Sequence, residues 1–289
     1  MKNLSDINVV KSLLPRHGFQ FSKALGQNFL INPEICPKMA TECGADQTKG
    51  VIEVGPGFGV LTRELAARAN KVVAIELDKR LPAVLAETLR DFNNVKVVQA
   101  DVMEVDLHQL IQDEFSGLDV LVCANLPYYI TSPVIMKLLE EKLPVESLTV
   151  MVQKEAAVRI CAASGTRACG AVSVAVQYYS QPQILFDVPR DCFFPAPNVD
   201  SAVIRLNIRK EPPVKLETEE KQFFKLVKAA FGQRRKTVLN SLNTGLGKSK
   251  EELSAALQQA GIEPTARAEQ LTMEQFGTLC NLLFPNKAK

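Results

Sequence analysis

Histidine is scarce: His17 and His108 are the only two in 289 residues. The seven cysteines are an odd number, and no two of them stand as C-x-x-C. At these spacings a zinc site has no ligand set to be built from, so no metal is expected. The thiols read instead as reduced and mostly buried. No apolar run is long enough to cross a bilayer. Met1–Val10 lacks the charged-then-apolar order of a secretory signal. A cytoplasmic protein without a membrane partner is therefore expected. Internal repeats and low-complexity tracts are missing too.

Net charge is small, at +2, but unevenly placed. Residues 210–289 carry 13 Lys+Arg against 9 Asp+Glu, or +4, and residues 1–209 carry 21 against 23, or −2. A polyanion met by the C-terminal part would suit that asymmetry. With 46% hydrophobic and 23% charged residues, the chain has the composition of a globular protein. Its length allows one large core and a smaller module.

The stretch Val51–Thr62, Val-Ile-Glu-Val-Gly-Pro-Gly-Phe-Gly-Val-Leu-Thr, anchors the reading. Val51–Val54 has the apolar, mostly β-branched character of a buried strand. Gly55, Gly57 and Gly59 follow, then leucine and alanine at helical spacing over Val60–Ala69. Strand, glycine turn and helix make the first half of a βαβ unit. Such a turn lets a ligand lie on bare backbone, and the helix start aims free N–H groups at it. The spacing is G-x-G-x-G, not the G-x-G-x-x-G of dinucleotide folds, so the ligand stays open at this point.

Further strands are expected at Lys71–Ile75, Val95–Gln99, Leu118–Cys123, Ser147–Val152 and Ala202–Ile208, with a helix over Leu81–Leu89. Gly170–Tyr179 alternates poorly and suits a helix. Strands alternating with helices imply an α/β fold with a parallel, doubly wound sheet. Ligands of such sheets bind beyond the carboxyl ends of the strands. The glycine turn, Glu76, Asp101 and Asn125 each follow one of the first four of these strands. An acid ending the second strand, as Glu76 does, suits a ribose diol, because a carboxylate accepts from two hydroxyls. Asn32 is expected to cap a helix opening at Pro33. Lys23–Leu30 reads either as a loop whose Gln27 and Asn28 satisfy their own backbone or as a lid over the turn.

Glu211-Pro212-Pro213 reads as a linker, giving domains at 1–210 and 211–289. Beyond it only helices are expected. They run over Glu219–Ala230, from a Ser249-x-x-Glu252 capping box to Gly261, and over Thr272–Leu283. The first of these places Lys221, Lys225 and Lys228 on one stripe and Phe223, Leu226, Val227 and Phe231 on the other. Arg234, Arg235 and Lys236 extend the positive charge, with no acid from Lys221 to Lys236. That run suits an RNA phosphate backbone.

Asn125-Leu126-Pro127-Tyr128 is the most specific short motif. A planar amide, an outward main-chain carbonyl and a flat ring suit a planar substrate that bears an amino group. Taken together, Glu53-x-Gly55-x-Gly57-x-Gly59, Glu76, Asp101 and Asn125–Tyr128 resemble an S-adenosylmethionine-dependent methyltransferase acting on an exocyclic amine. Three more stretches narrow the likeness: Gly26-Gln-Asn-Phe-Leu30, Phe193-Phe-Pro-Ala-Pro-Asn-Val-Asp-Ser201 and Phe231-Gly-Gln-Arg-Arg-Lys-Thr-Val-Leu-Asn-Ser241. In this order, over nearly the whole chain, they resemble the small-subunit ribosomal RNA adenine N6-dimethyltransferases.

That resemblance implies a Rossmann-like class I methyltransferase sheet with a smaller C-terminal helical domain, S-adenosylmethionine as cofactor, and no metal. Asn28 and Leu30 would close over the methionine end of the cofactor. Gly55 and Gly57 would let it lie on the backbone, Glu76 would hold the ribose and Asp101 the adenine amino group. Asn125 would touch cofactor and target, and Tyr128 and Phe193 would sandwich an extruded adenine. Plain core is the alternative for Phe193, and Phe194 reads as core. The implied substrate is two adjacent adenosines in the 3′-terminal hairpin loop of small-subunit (16S) rRNA. The implied partner is an immature 30S-type subunit, met by a monomer. A methylase of large-subunit rRNA is the close alternative; a non-catalytic assembly factor and a nicotinamide dehydrogenase are more distant ones.

Overall fold

A computed structural model describes residues 4, 6–16, 28–233 and 235–285. By internal contacts the chain divides into two units, Met1–Ala157 with Gln183–Ile208, and Val158–Pro182 with Arg209–Lys289.

The first unit is built on a seven-stranded sheet. After α1 (Ile7–Arg16) and the two-residue β1 (Phe29–Leu30), α2 (Ile35–Cys43) leads into β2 (Lys49–Val54). Then α3 (Val60–Ala66), β3 (Lys71–Glu76), α4 (Leu81–Thr88), β4 (Val95–Gln99), α5 (Leu107–Glu114), β5 (Asp119–Asn125), α6 (Thr131–Glu140) and β6 (Ser147–Gln153) alternate. After α7 (Lys154–Ile160) and α8 (Ala171–Tyr179), β7 (Ser180–Val188), β8 (Phe193–Phe194) and β9 (Ser201–Ile208) complete the strands. The spatial order is β4-β3-β2-β5-β6-β9-β7, and β1 pairs β8 in a separate ribbon.

β2, β3 and β5 are Val/Ile/Leu-rich and almost wholly buried, as central strands covered on both faces must be. β4 through β6 are parallel, as expected. β9 departs from the expected parallel sheet: it runs antiparallel to β6, Ser147 opposite Asn207 and Gln153 opposite Ser201. No crossover helix lies between β8 and β9, so the chain enters β9 at the edge where β6 ends. A strand buried on both faces reads alike in either direction, which hides this from the sequence. The expected helix at Pro33 starts two residues later, because the Asn32 side-chain Oδ1 accepts from the Glu34 amide at 2.9 Å and closes a local turn.

The second unit is helical. α9 (Glu220–Ala230), α10 (Val238–Leu246), α11 (Lys250–Gln259) and α12 (Met273–Leu283) bury Phe223, Leu242, Leu257 and Phe276 in one cluster. Thr237, Ser249 and Thr272 each cap a helix start. At Ser249 only half of the expected capping box forms. Its hydroxyl accepts from the Glu252 amide at 3.1 Å, while the Glu252 carboxylate goes to Lys248.

A division at 210/211 misses part of this unit. Val174 and Tyr178 of α8 are buried in the same cluster as α9–α12, with the Tyr178 ring 5.0 Å from Phe223. The Tyr179 hydroxyl donates to Glu220 at 2.6 Å. Apolar contact, not the Glu-Pro-Pro linker, decides where α8 belongs.

Candidate active site

Register places the expected site residues side by side. Val54 lies opposite both Ile75 and Ala124, so Gly55, Glu76 and Asn125 each come one residue later at the same edge. Glu76 lies opposite Gln99, which sets Asp101 just beyond the end of β4. Because β9 is antiparallel, Ser201 and the loop before it reach this edge as well. One cleft collects Asn28, Leu30, Gly55, Gly57, Glu76, Asp101, Asn125, Tyr128 and Phe193.

Gly55 turns the chain at φ +70°, and a Cβ built there meets nothing within 4 Å. A side chain at this position would be strained and would intrude on open space beside the cleft. Gly59 is different: a Cβ there would press on Leu85, Thr88 and Leu89 of the α4 region at 3.1–3.3 Å, so this glycine serves packing.

Glu76 is buried, and its two oxygens are held by backbone amides, Oε1 by Asp78 at 2.8 Å and Oε2 by Gly57 at 3.3 Å. Burial outweighs those bonds and pushes its pKa up to about 6. Asp101 is half-buried; its Oδ1 accepts from the Met103 amide at 2.8 Å, which leaves Oδ2 to other donors. Glu53 lies deeper, 1% exposed on the cleft wall. Burial pushes its pKa up to about 8, against the pull of the Thr62 hydroxyl, and Oε2 has no hydrogen-bond partner among the described residues.

The half-buried Asn125 carboxamide makes no hydrogen bond among the described residues. The Pro127 carbonyl is taken by the Ile130 amide at 3.1 Å and the Thr131 hydroxyl at 3.3 Å. The other carbonyl beside the proline, that of Leu126, has no hydrogen-bond partner among the described residues. The Tyr128 hydroxyl lies 2.7 Å from Ser201 Oγ, which fixes the ring, and burial raises its pKa. Ser201 closes the Pro-rich stretch noted in the sequence, but only the antiparallel register of β9 shows that it holds Tyr128.

Phe193 lines the cleft but is 3% exposed, packed with Leu30 and Cys36 in a core cluster. Leu30 pairs with Phe193, and Phe29 with Phe194. The expected contrast between a stacking Phe193 and a core Phe194 is thus reversed in exposure: Phe194 is half-buried, with Lys11 5.3 Å over its ring. Missed altogether was Phe58 of the glycine turn, whose ring stacks on Phe29 at 4.2 Å and 11° and holds β1 against the turn. Of the expected lid only 28–30 is described; Lys23–Gln27 lie outside the described residues.

In the helical unit Lys221, Lys225, Lys228, Arg235 and Lys236 are exposed. Lys221 pairs with Glu219, whereas the other four have no ion-pair partner among the described residues. Arg234 lies outside the described residues. Among the described residues no helix is long and apolar enough to cross a membrane.

Comparison with known proteins agrees with this geometry. A family model for ribosomal RNA adenine dimethylases matches residues 18–284. The ribosomal RNA small subunit methyltransferase A of Geobacillus thermodenitrificans is 49% identical, with 98% of each chain covered. That of Bacillus mycoides is 46% identical over 99% of each. Among solved structures, a dimethyladenosine transferase from Plasmodium falciparum superposes with a TM-score of 0.71 at 26% identity, covering 87% of this chain and 95% of its own. The 23S rRNA methyltransferase ErmE gives 0.67 at 29% identity, covering 89% and 99%.

Proposed function

The chain belongs to the ribosomal RNA adenine dimethylase family, and from that premise we propose its target: two adjacent adenosines in the 3′-terminal hairpin loop of small-subunit rRNA. The enzyme is an S-adenosylmethionine-dependent rRNA adenine N6-dimethyltransferase. In the proposed reading it acts as a monomer in the cytoplasm, on an immature small subunit.

The residues of the cleft fit that cofactor. Gly55 leaves backbone bare, Glu53 offers a buried oxygen without a partner, and Glu76 is a carboxylate already oriented by two amides. Glu76 would accept from the ribose hydroxyls and Asp101 from the adenine amino group. Gly57, Asn28 and Leu30 would close around the methionine end. When bound, the cofactor supplies an already activated, positively charged methyl donor.

What remains for the protein is to prepare the nucleophile. N6 of adenine is weak because its lone pair is delocalised into the ring. Acceptors on both N–H bonds, the Asn125 carboxamide oxygen and the Leu126 carbonyl, favour a pyramidal nitrogen with a localised pair. They also stabilise the positive charge that grows on it in the transition state. Tyr128, fixed by Ser201, holds the base in line. Phe193 would complete the sandwich, which requires a base to displace its present neighbours. Stacking offsets the cost of extruding the base. No strong general base is needed, since the alkylated amine releases its proton to water. The exposed Lys225, Lys228, Arg235 and Lys236, with Lys221 and Arg234, would meet the phosphate backbone.

One observation carries the reading: an Asn125 carboxamide without a hydrogen-bond partner among the described residues stands beside the Gly55 turn, next to a pinned tyrosine. The test is to offer immature small and large subunits with labelled cofactor and to map the modified adenosines. Dimethylated adenosines confined to the small-subunit hairpin are expected. Label in large-subunit rRNA would overturn the target assignment.

A further inference from the structure

We propose that Tyr129 is a stacking platform for the RNA base next to the one extruded into the cleft. The inference rests on the rRNA reading above and concerns a residue outside the machinery assigned so far.

Tyr129 is 58% exposed, more than any other large hydrophobic among the described residues, although it directly follows the buried-side Tyr128. The two tyrosines have opposite situations. Tyr128 is pinned through its hydroxyl to Ser201, while Tyr129 has no hydrogen bond, ring contact or ion pair among the described residues. Its backbone is nonetheless held. The Ile130 amide closes the turn on the Pro127 carbonyl at 3.1 Å, and α6 starts at Thr131. A ring on a braced turn loses little freedom when it is covered.

The exposure is also not scattered. Of the exposed large hydrophobics, Tyr129 and Leu77, the latter 44% exposed, are the two that line the cleft. Leu77 follows Glu76 at the end of β3, and Tyr129 follows the Asn125–Tyr128 motif after β5, so the two lie at the same edge of the sheet, on either side of β2. Isolated apolar side chains on a surface need no explanation, but two at the mouth of one cleft ask for a ligand. Cofactor and target adenine already have their contacts deeper in. What stands at the mouth once a base has been extruded is its neighbour, which has lost one stacking face. An aromatic ring restores that face whatever the base. With two adjacent adenosines as target, the neighbour is the adenine that waits for or has left the cleft.

The experiment compares wild type with Tyr129→Phe, Tyr129→Leu and Tyr129→Ala on immature small subunits. It measures KM, kcat, cofactor Kd by calorimetry and thermal melting. Tyr129→Phe should match wild type, since the face is kept. Tyr129→Ala and Tyr129→Leu should raise KM for the subunit by about tenfold or more, on the scale of one lost base–aromatic stack. Cofactor Kd and melting should not move. A KM for Tyr129→Ala equal to that of wild type overturns the platform. So does a Leu variant that performs like wild type, which would mean bulk and not stacking, or a Phe variant as poor as Ala, which would mean the hydroxyl. Failure of the underlying reading looks different: there, wild type itself transfers no methyl group to adenine N6, and both proposals fall.

Discussion

Asn125 and Glu76 are opposites in the structure, one carboxamide without a hydrogen-bond partner among the described residues and one carboxylate with two amides already on it. Each predicts a distinct failure. Asn125→Ala removes an acceptor placed on the reacting amine, so it should lower kcat by about 10²–10³-fold. RNA affinity and melting temperature should stay near those of wild type, because no hydrogen bond to another described residue is lost. Single-turnover methylation beside filter binding reads both, and equal loss in both would remove Asn125 from its assigned role. Glu76 predicts a pH effect. Only the ionised carboxylate accepts fully from both ribose hydroxyls, and burial has pushed its pKa up to about 6. Cofactor affinity should be full above that value and fall as pH drops through it, and Glu76→Gln should lack this step. Calorimetry from about pH 8 to about pH 5 tests the sign, and a flat wild-type profile would move the diol elsewhere. Glu76, Asp101 and Asn125 were legible in the sequence because each ends or closely follows a strand, and strand ends share an edge. The Tyr128–Ser201 bond, the covered Phe193 and the buried Glu53 were not. They depend on what the fold lays against them from far along the chain.

Elements were read correctly where pattern alone decides, and wrongly where direction or partnership does. β2, β3 and β5 announce themselves as buried apolar runs. β9 does the same, yet nothing in Ser201–Ile208 says that it runs against β6. That reversal matters, since it delivers Ser201 to the catalytic edge. α9 shows the reverse case: its two faces follow from spacing, and the structure buries Phe223, Leu226 and Val227 and exposes Lys225 and Lys228. Lys221 is the member of the stripe tied to a neighbour, Glu219. The proposed phosphate footprint then belongs mainly to Lys225, Lys228, Arg235 and Lys236. Replacing Lys225, Lys228 and Arg235 by glutamine should weaken subunit binding and flatten its dependence on log salt by about 0.7–0.9 per lost phosphate contact. Catalysis at saturating substrate should persist. An unchanged salt slope would place the RNA footprint on another surface.

At the scale of the whole molecule, the point at issue is what counts as a part. A Pro-Pro linker marks a boundary on paper, but Val158–Pro182 packs with Arg209–Lys289 although a stretch of the sheet separates them in sequence. Cys169, Val174 and Tyr178 are buried in the core of α9–α12, and Tyr179 holds Glu220 at the start of α9. A fragment comprising residues 211–289 would lack these side chains. Each large apolar one contributes about 1.5–3 kcal/mol when fully buried, and a domain's margin is only about 5–15 kcal/mol. The fragment should therefore melt without a cooperative transition and bind a hydrophobic dye through the surface that Val174 and Tyr178 leave open. Joining 158–182 to 211–289 through a flexible linker should restore a sharp melt and suppress dye binding. If residues 211–289 alone melted as sharply as the joined fragment, the helical unit would not need α8, and the boundary read from the linker would stand.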